Sequence, residues 1–179
     1  MTHRPPLAIT CFAGAEAGEW RVDSNTPVVG AGLARVAHVA VGGADGVWTL
    51  NGTASHLRYT TAPERLALRA RQEGLGRPGS TRAALIPIRK SEDWWAMAQD
   101  ERRAIYDAGR HLPIGLDYLP GIARKLYHSR DLGEDFDFLT WFEFAPDQEA
   151  AFDQMLERLR ACAEWAFVDR EIDIRLTRS

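Results

Sequence analysis

The chain has 179 residues, with 22 Lys and Arg against 25 Asp and Glu, and its formal net charge is −3 at pH 7. A general nucleic-acid-binding protein carries a clear basic excess, so this charge balance argues against that class. Hydrophobic residues make up 45% and charged residues 26%, which is typical of a globular protein large enough to fold without disulfide or metal staples.

The N-terminal residues show no targeting signal, because they lack a basic stretch followed by an apolar one. No apolar run in the chain approaches the roughly 20 residues that a membrane span needs. The two cysteines, Cys11 and Cys162, form neither a CxxC pair nor a zinc-binding spacing, so we expect reduced thiols. These features predict a cytoplasmic protein with no membrane partner.

The first half of the chain is predicted to be rich in strands. Short apolar runs indicate strands at residues 7–12, 20–22, 33–41, 47–50 and 56–60. Asn51-Gly52 lies between the last two runs and predicts a tight hairpin turn. One short helix is predicted over residues 63–72. We find no sequence repeat between the two halves of the chain.

A loop rich in Gly and Pro at residues 72–81 divides the chain. Its glycines lack the order of a phosphate-binding loop and no helix start follows them, so we discount that motif. Small residues are frequent before the loop, whereas aromatic residues and long helices dominate after it. We therefore divide the chain into a strand-rich half, residues 1–75, and a second domain, residues 82–179.

The second domain begins with a short apolar strand over residues 83–88. Pro87 cannot donate a backbone hydrogen bond, so it favours a sheet edge or a bulge for this strand. A helical stretch is predicted over residues 92–118, with a break near Ala98 and a bend at Pro113.

The remaining elements complete a known supersecondary unit. Further strands are predicted at 122–128, 138–144 and 168–176, with an amphipathic helix at 151–159. The order is that of the ferredoxin-like βαββαβ unit of an α+β fold. Both helices of this unit cover one face of the sheet, so the other apolar face needs a partner sheet or a ligand. The economical partner is a sheet in the first half, which would be a smaller, reduced ferredoxin-like unit.

Two residues in apolar sequence contexts are candidates for chemistry. His111 lies on or just after a long helix and is either a satisfied structural residue or a ligand. Arg124 either alternates outward with Lys125 or points inward. An inward guanidinium needs an ion-pair partner or a cavity that holds an anion.

Glu164 falls near the end of the second predicted helix and is either an exposed helix-end residue or a buried acceptor. A carboxylate that accepts a hydrogen bond from His111 would fix the tautomer of the ring and make it a stronger metal ligand. Lys90 is either a solvated loop residue or the cation that offsets the charge of Glu164. Among the tryptophans, Trp94, Trp95 and Trp141 either wall a flat ligand or pack in the core.

As an ordered set, the motifs of the chain resemble those of chlorite dismutase, a haem b enzyme, in its short dimeric branch. The match is close over residues 55–179 and loose before them. The motifs that carry it are residues 83–90 (AALIPIRK), Trp94-Trp95, residues 99–103 (QDERR), His111, residues 118–120 (YLP), 122–124 (IAR), 126–128 (LYH) and 136–143 (FDFLTWFE), and the stretch from Arg160-Ala161 through Glu164-Trp165 to Arg170-Glu171.

The resemblance implies a fold of the dimeric α+β barrel type, a homodimer, and haem b (iron protoporphyrin IX) bound in the second domain. His111 would be the axial ligand of the iron. Glu164 would accept the ring N–H of His111, and Lys90 would complete that network. Trp94 and Trp95 would belong to the surroundings of the haem.

On the open side of the haem, the resemblance implies that Arg124 binds chlorite and that Gln72 restrains Arg124 through a hydrogen bond. A guanidinium stays protonated near neutral pH, so it acts as an electrostatic clamp for a small anion. The implied reaction decomposes chlorite to chloride and dioxygen. Its fragments must stay close together while the O–O bond forms.

Two other functions are open at this point. One is a related haem or coproheme-handling protein of the same fold, either peroxidase-like or a decarboxylase. The coproheme decarboxylases do not carry an arginine at the position of Arg124, which favours chlorite chemistry. The other is a haem-free dimeric α+β barrel that serves as a binding protein.

Overall fold

The computed structural model describes residues 8–54, 61–71 and 74–179. The strands in these ranges are β1 (Ile9–Ala15), β2 (Trp20–Val29), β3 (His38–Val41), β4 (Trp48–Ala54), β5 (Arg82–Lys90), β6 (Ala123–His128), β7 (Phe138–Phe144) and β8 (Val168–Arg178). The α-helices are α1 (Ala62–Arg71), α2 (Glu92–Ala96), α3 (Gln99–Ala108), α4 (His111–Asp117) and α5 (Glu149–Arg160), and short 3₁₀ helices cover Arg130–Leu132, Pro146–Gln148 and Ala163–Phe167. Within these described ranges, no helix has the length and apolar character to cross a membrane.

The eight strands form one closed antiparallel barrel in the order β1-β3-β2-β8-β5-β7-β6-β4. The first four strands follow the order β4-β1-β3-β2 and are called here the first sheet. The last four follow the same order, β8-β5-β7-β6, and are called the second sheet. The predicted α+β fold of the barrel type is therefore confirmed. Because one barrel contains strands from both sides of the 72–81 loop, the division into residues 1–75 and 82–179 stays a prediction.

The barrel interior is the first hydrophobic core of the protein. Alternate residues of each strand point inward. The ring of Phe12 stacks on Trp141, and Trp20 meets Trp141 edge-on, both with centroids 5.4 Å apart. Trp141 is therefore a buried core residue of the barrel. The inner face of the second sheet finds its partner in the first sheet, as expected.

A second core lies outside the barrel, between the strands and α5. Phe152 of α5 packs against Phe142 and Phe144 of β7, with ring centroids 5.0 and 4.6 Å apart. On β5, Ala84 and Ile86 belong to this outer core, whereas Ala83 and Leu85 belong to the barrel interior. Burial on both faces explains why β5 is a continuous apolar run.

Three expectations for local structure were wrong, and the first concerns Pro87. The strand β5 lies between β7 and β8 in the closed barrel, so it is not an edge strand. Ile86 and Pro87 pair with β7, but neither has a register partner in β8. The interruption of the ladder to β8 coincides with the residue that has no N–H group, which lets the barrel accept the proline.

The predicted hairpin turn at Asn51-Gly52 is also wrong, because both residues lie inside β4. A Cβ atom built on Gly52 would lie 2.7 Å from Cβ of Tyr127 on the neighbouring β6. The glycine is needed for the close approach of two strands, which is its other common use besides turns. The strand predicted at 56–60 lies outside the described residues.

The helical stretch predicted over 92–118 is divided into α2, α3 and α4. The break near Ala98 is confirmed, since Ala98 lies between α2 and α3 in extended conformation. The bend at Pro113 is wrong, because Pro113 occupies the first turn of α4, where the N–H groups have no acceptor within the helix. The chain turns instead at Arg110, whose φ of 54° is left-handed.

Candidate active site

The turn between α3 and α4 places His111 beside the segment that follows α5. The thiol of Cys162 donates a hydrogen bond of 2.9 Å to the carbonyl oxygen of Gly109. A Cβ atom on Gly109 would lie only 3.1 Å from Cβ of Cys162, so the two segments are in close contact. Two residues further on, each segment presents a side chain to the other: His111 begins α4, and Glu164 lies in the 3₁₀ helix Ala163–Phe167.

These two side chains form a hydrogen-bonded network with Lys90 at the end of β5. Nδ1 of His111 lies 2.8 Å from Oε2 of Glu164, and Nζ of Lys90 donates to Oε1 of Glu164 at 2.8 Å. Lys90 and Glu164 are only 5% and 6% exposed. Because an ionised carboxylate accepts hydrogen bonds but does not donate them, Nδ1 of His111 is the donor, and Nε2 is the nitrogen left for a ligand.

The network keeps Glu164 ionised. Burial alone raises the pKa of Glu164, but the hydrogen bond and charge of His111, together with Lys90, lower it to about 2. Burial lowers the pKa of the Lys90 ammonium, and the charge of Glu164 and its hydrogen bond oppose that change. A buried anion between two nitrogen donors is the arrangement that orients an imidazole for a metal.

Aromatic rings surround the network. Tyr106 of α3 stacks on His111 with centroids 4.6 Å apart and planes at 22°, and the ring of Trp165 lies 6.1 Å from His111. The Lys90 ammonium lies 4.3 Å above the centroid of Trp94, a cation–π distance. The contacts of Tyr106 and Trp165 with His111 were not predicted from the sequence, because they depend on the left-handed turn before His111 and on the 3₁₀ helix.

Asp137 connects Trp95 to the backbone of Lys90 and is another residue whose contacts the sequence analysis missed. Its Oδ2 accepts hydrogen bonds from the Lys90 amide at 2.7 Å and from Nε1 of Trp95 at 3.1 Å, and its Oδ1 accepts from Arg130 at 3.2 Å. Asp137 is 4% exposed. Its position between two phenylalanines, Phe136 and Phe138, is the same signal of a polar residue in an apolar context that pointed to Glu164.

Arg124 is half-buried on β6, and its guanidinium lies against α4. A Cβ atom built on Gly115 would lie 2.9 Å from Nη1 of Arg124. Burial raises the pKa of Tyr106 to about 12, although the charge of Arg124 acts in the opposite direction. Tyr106 is thus electrostatically coupled to Arg124 and stacked on His111, and Gly115 lies one helical turn after His111. The structure therefore brings Arg124 and His111 to the same part of α4.

An apolar cavity of about 350 Å³ opens beside this group of residues. It lies between α1 and the α3–α4 segment. Its lining includes Tyr106 and Leu112, the neighbour of His111 in the chain, together with Ala67 and Leu116. Gln72, the other residue that the resemblance implied on this side, lies outside the described residues.

The residues present fit a haem. Haem iron is commonly held by one histidine nitrogen, and His111 offers one imidazole whose other nitrogen is fixed by a carboxylate. A porphyrin needs a largely apolar cavity next to that imidazole, and the walls of the cavity beside Leu112 and Tyr106 are mostly apolar, although Glu64 and Asp107 also line it.

Comparisons with known proteins point in the same direction. A family model described as chlorite dismutase matches residues 47–179. The structure is similar to that of a dimeric chlorite dismutase from Nitrobacter winogradskyi, with 52% sequence identity, a TM-score of 0.92, and coverage of 95% of this chain and 99% of that chain.

Two longer proteins are similar to a smaller extent. A mutant chlorite dismutase from Candidatus Nitrospira defluvii in complex with cyanide has 29% identity and a TM-score of 0.60 over 79% of this chain and 56% of that chain. The chlorite dismutase of the same organism in complex with imidazole has 28% identity and a TM-score of 0.58 over 78% of this chain and 56% of that chain. The similarity to these proteins therefore covers about half of their length.

Proposed function

The chain belongs to the chlorite dismutase family of haem-dependent oxidoreductases, and from that premise we propose that it binds haem b and decomposes chlorite to chloride and dioxygen with formation of an O–O bond. The observation that supports the proposal most is the His111–Glu164–Lys90 network, with Arg124 on the same part of α4. The reaction balances without a further oxidant or reductant, because both oxygen atoms of chlorite leave as dioxygen and the chlorine leaves as chloride.

In this proposal, His111 holds the iron through Nε2. Glu164 keeps Nδ1 protonated and places a negative charge behind the ring, which makes the imidazole a stronger donor. Lys90 offsets part of that charge. Trp94, in contact with the Lys90 ammonium, and Trp95, held by Asp137, form the surroundings of the cofactor. When bound, the haem supplies the iron centre at which chlorite coordinates and gives up oxygen.

Arg124 acts on the anion in this proposal. The guanidinium remains protonated at neutral pH, so it docks chlorite by a charge-assisted hydrogen bond and is not a general base. It also holds the chlorine-containing fragment in place until the O–O bond has formed. Such proximity is worth several kcal/mol, on the order of 7 at the low end. Gln72 would restrain Arg124 through a hydrogen bond, as the family resemblance implies.

The proposal extends to assembly and to domain roles. The relative from Nitrobacter winogradskyi is described as dimeric, and we propose a homodimer for this chain as well. Residues 82–179 would be the haem-binding ferredoxin-like domain, because His111, Glu164, Lys90 and Arg124 all belong to it. Residues 1–75 would be the reduced ferredoxin-like half that closes the barrel.

The test of the proposal is dioxygen release from chlorite by the haem-loaded protein, measured with an oxygen electrode. We expect a Soret band that is lost in His111→Ala. We also expect Arg124→Ala to release hypochlorite that a chlorination indicator traps, and to lose its haem absorbance within fewer turnovers. Lys125→Ala is the matched control, because Lys125 is the exposed neighbour of Arg124 on β6.

Three outcomes would contradict the proposal. A Soret band that persists in His111→Ala would show that His111 is not the iron ligand. An Arg124→Ala variant with unchanged turnover lifetime and no trapped hypochlorite would show that Arg124 does not act as the clamp. A protein that takes up no haem at all would instead support the haem-free binding protein.

A further inference from the structure

We propose that Gly115 is a positioning residue for Arg124: α4 carries a glycine at this point so that the guanidinium can lie directly against the helix. The proposal rests on the proposed role of Arg124 as an anion clamp. It concerns a residue of α4 that has no side chain with which to bind the anion or the iron.

The contact of Gly115 is specific. A Cβ atom built there would lie 2.9, 3.3 and 3.6 Å from Nη1, Cζ and Nη2 of Arg124, and these are the three nearest atoms. Carbon–nitrogen contacts between side chains are comfortable at about 3.5–4.0 Å. A methyl group at position 115 would therefore meet the guanidinium before any other group, and this end of a long side chain is what would move.

Other reasons for a glycine do not apply at position 115. Gly115 lies within α4 and does not belong to the glycines with positive φ, so the backbone conformation does not require it. Glycine is also the least favourable residue in a helix interior apart from proline, so local helix stability does not favour it. The glycine therefore leaves room for the guanidinium of Arg124, which fills the space that a side chain at position 115 would occupy.

The direction of the displacement follows from the geometry. Relief of a 2.9 Å contact moves the guanidinium away from α4 by about half an ångström or more. Because α4 begins with His111, the guanidinium also moves relative to the iron ligand. Misplacement of about 1 Å at a reacting site can cost as much as 100-fold in rate, so we expect at least a tenfold loss here.

The first experiment compares Gly115→Ala with the control Gly79→Ala, which meets no atom within 4 Å. We expect Gly115→Ala to keep or raise the midpoint of thermal unfolding, since alanine is favoured in a helix. At the same time, the NMR signal of the Arg124 guanidinium in the haem-free protein shifts. The affinity of the ferric protein for fluoride falls about tenfold, because the displaced guanidinium no longer gives the anion its charge-assisted hydrogen bond. A fall in the unfolding midpoint, or a failure to fold, would overturn the proposal, because displacement of one side chain leaves the fold intact.

The second experiment is a double-mutant cycle with Arg124→Ala. If Gly115 acts through Arg124, then Gly115→Ala has no further effect on fluoride affinity in the Arg124→Ala protein. An equal effect in both backgrounds, or no effect in either, would overturn the proposal.

The failure of the proposed function looks different from the failure of this inference. If Arg124→Ala alone leaves chlorite turnover and fluoride affinity unchanged, the clamp itself is wrong. If Arg124→Ala reduces both but Gly115→Ala changes neither and leaves the Arg124 NMR signal in place, only the role of Gly115 is wrong.

Discussion

Glu164 accepts a 2.8 Å hydrogen bond from Nδ1 of His111 at the point where the turn before α4 meets the segment after α5. The two residues are 53 positions apart in the chain, so tertiary contacts alone bring them together. The bond fixes one tautomer of the imidazole and directs Nε2 away from the carboxylate.

Replacement Glu164→Gln should weaken haem binding. The amide keeps the size of the side chain but removes the negative charge behind the His111 ring and leaves the Lys90 ammonium without its counterion. Loss of such a supporting group costs about 10–100-fold in metal affinity. The rate of haem transfer to excess apomyoglobin measures the change. Glu157→Gln, on the exposed face of α5, is the control, and equal transfer rates in both variants would contradict the prediction.

The stability of the haem-free protein should depend on pH through Glu164. Although burial raises its pKa, His111 and Lys90 lower the folded-state value from 4.5 to about 2, so the unfolded chain takes up the proton first as the pH falls. The stabilisation is complete above about pH 4.5 and is lost between about 4.5 and 2, with a magnitude of about 3 kcal/mol. Urea unfolding at several pH values should show the advantage of the native protein over Glu164→Gln shrinking in this window. A constant difference would count against it.

Replacement Asp137→Asn should destabilise the protein and leave His111, the proposed iron ligand, unchanged. One carboxylate oxygen accepts from the Lys90 amide and Trp95, and the other accepts from Arg130, whereas an amide offers one oxygen and an NH2 group that cannot accept, so at least one of these donors loses its acceptor. Such a loss costs about 1–3 kcal/mol. Urea unfolding followed by tryptophan fluorescence measures it. Asp131→Asn, in the exposed turn before β7, should change stability by much less, and equal effects of the two would refute the role of Asp137.

Replacement Gly52→Ala should weaken the pairing of β4 with β6 and destabilise the protein. The new methyl group would lie 2.7 Å from Cβ of Tyr127, and this clash lies between two backbones that cannot easily separate. Overpacking of this kind costs about 1–3 kcal/mol. Thermal or urea unfolding tests it against Gly74→Ala, where no atom lies within 4 Å. If both variants unfold at the same midpoint, the close approach of the strands does not explain the glycine.

Much of the second domain could be predicted from its sequence, because periodicity reports burial directly. In β7 the residues alternate between the barrel interior and the α5 side, and α5 has one apolar face. The Asn51-Gly52 pair shows the limit of such patterns. The same two residues favour a tight turn locally, but the position of β6 keeps them in a strand, and no local signal carries that information.

The candidate site, too, could be predicted from the sequence only in part. Its polar residues, His111, Arg124 and Glu164, could be singled out because polar side chains in apolar contexts need partners. The structure brings His111 and Glu164 into contact, and their roles stay predictions. Gly115 and Tyr106 could not be found from the sequence. Their importance lies in contacts that arise only when α3, α4 and β6 are assembled, and an isolated glycine or tyrosine carries no sign of such a neighbour.

The last strand along the chain, β8, pairs with β2 of the first sheet and with β5 of the second. During translation, the ribosome therefore releases the seven other described strands before the one that completes the barrel, in which β4 and β6 already join the two sheets on the opposite side. The nascent polypeptide has to keep both unfinished sheets from sticking to other molecules until that segment emerges. Loss of residues 168–178 should therefore leave both sheets unclosed and give a product that is degraded instead of matured.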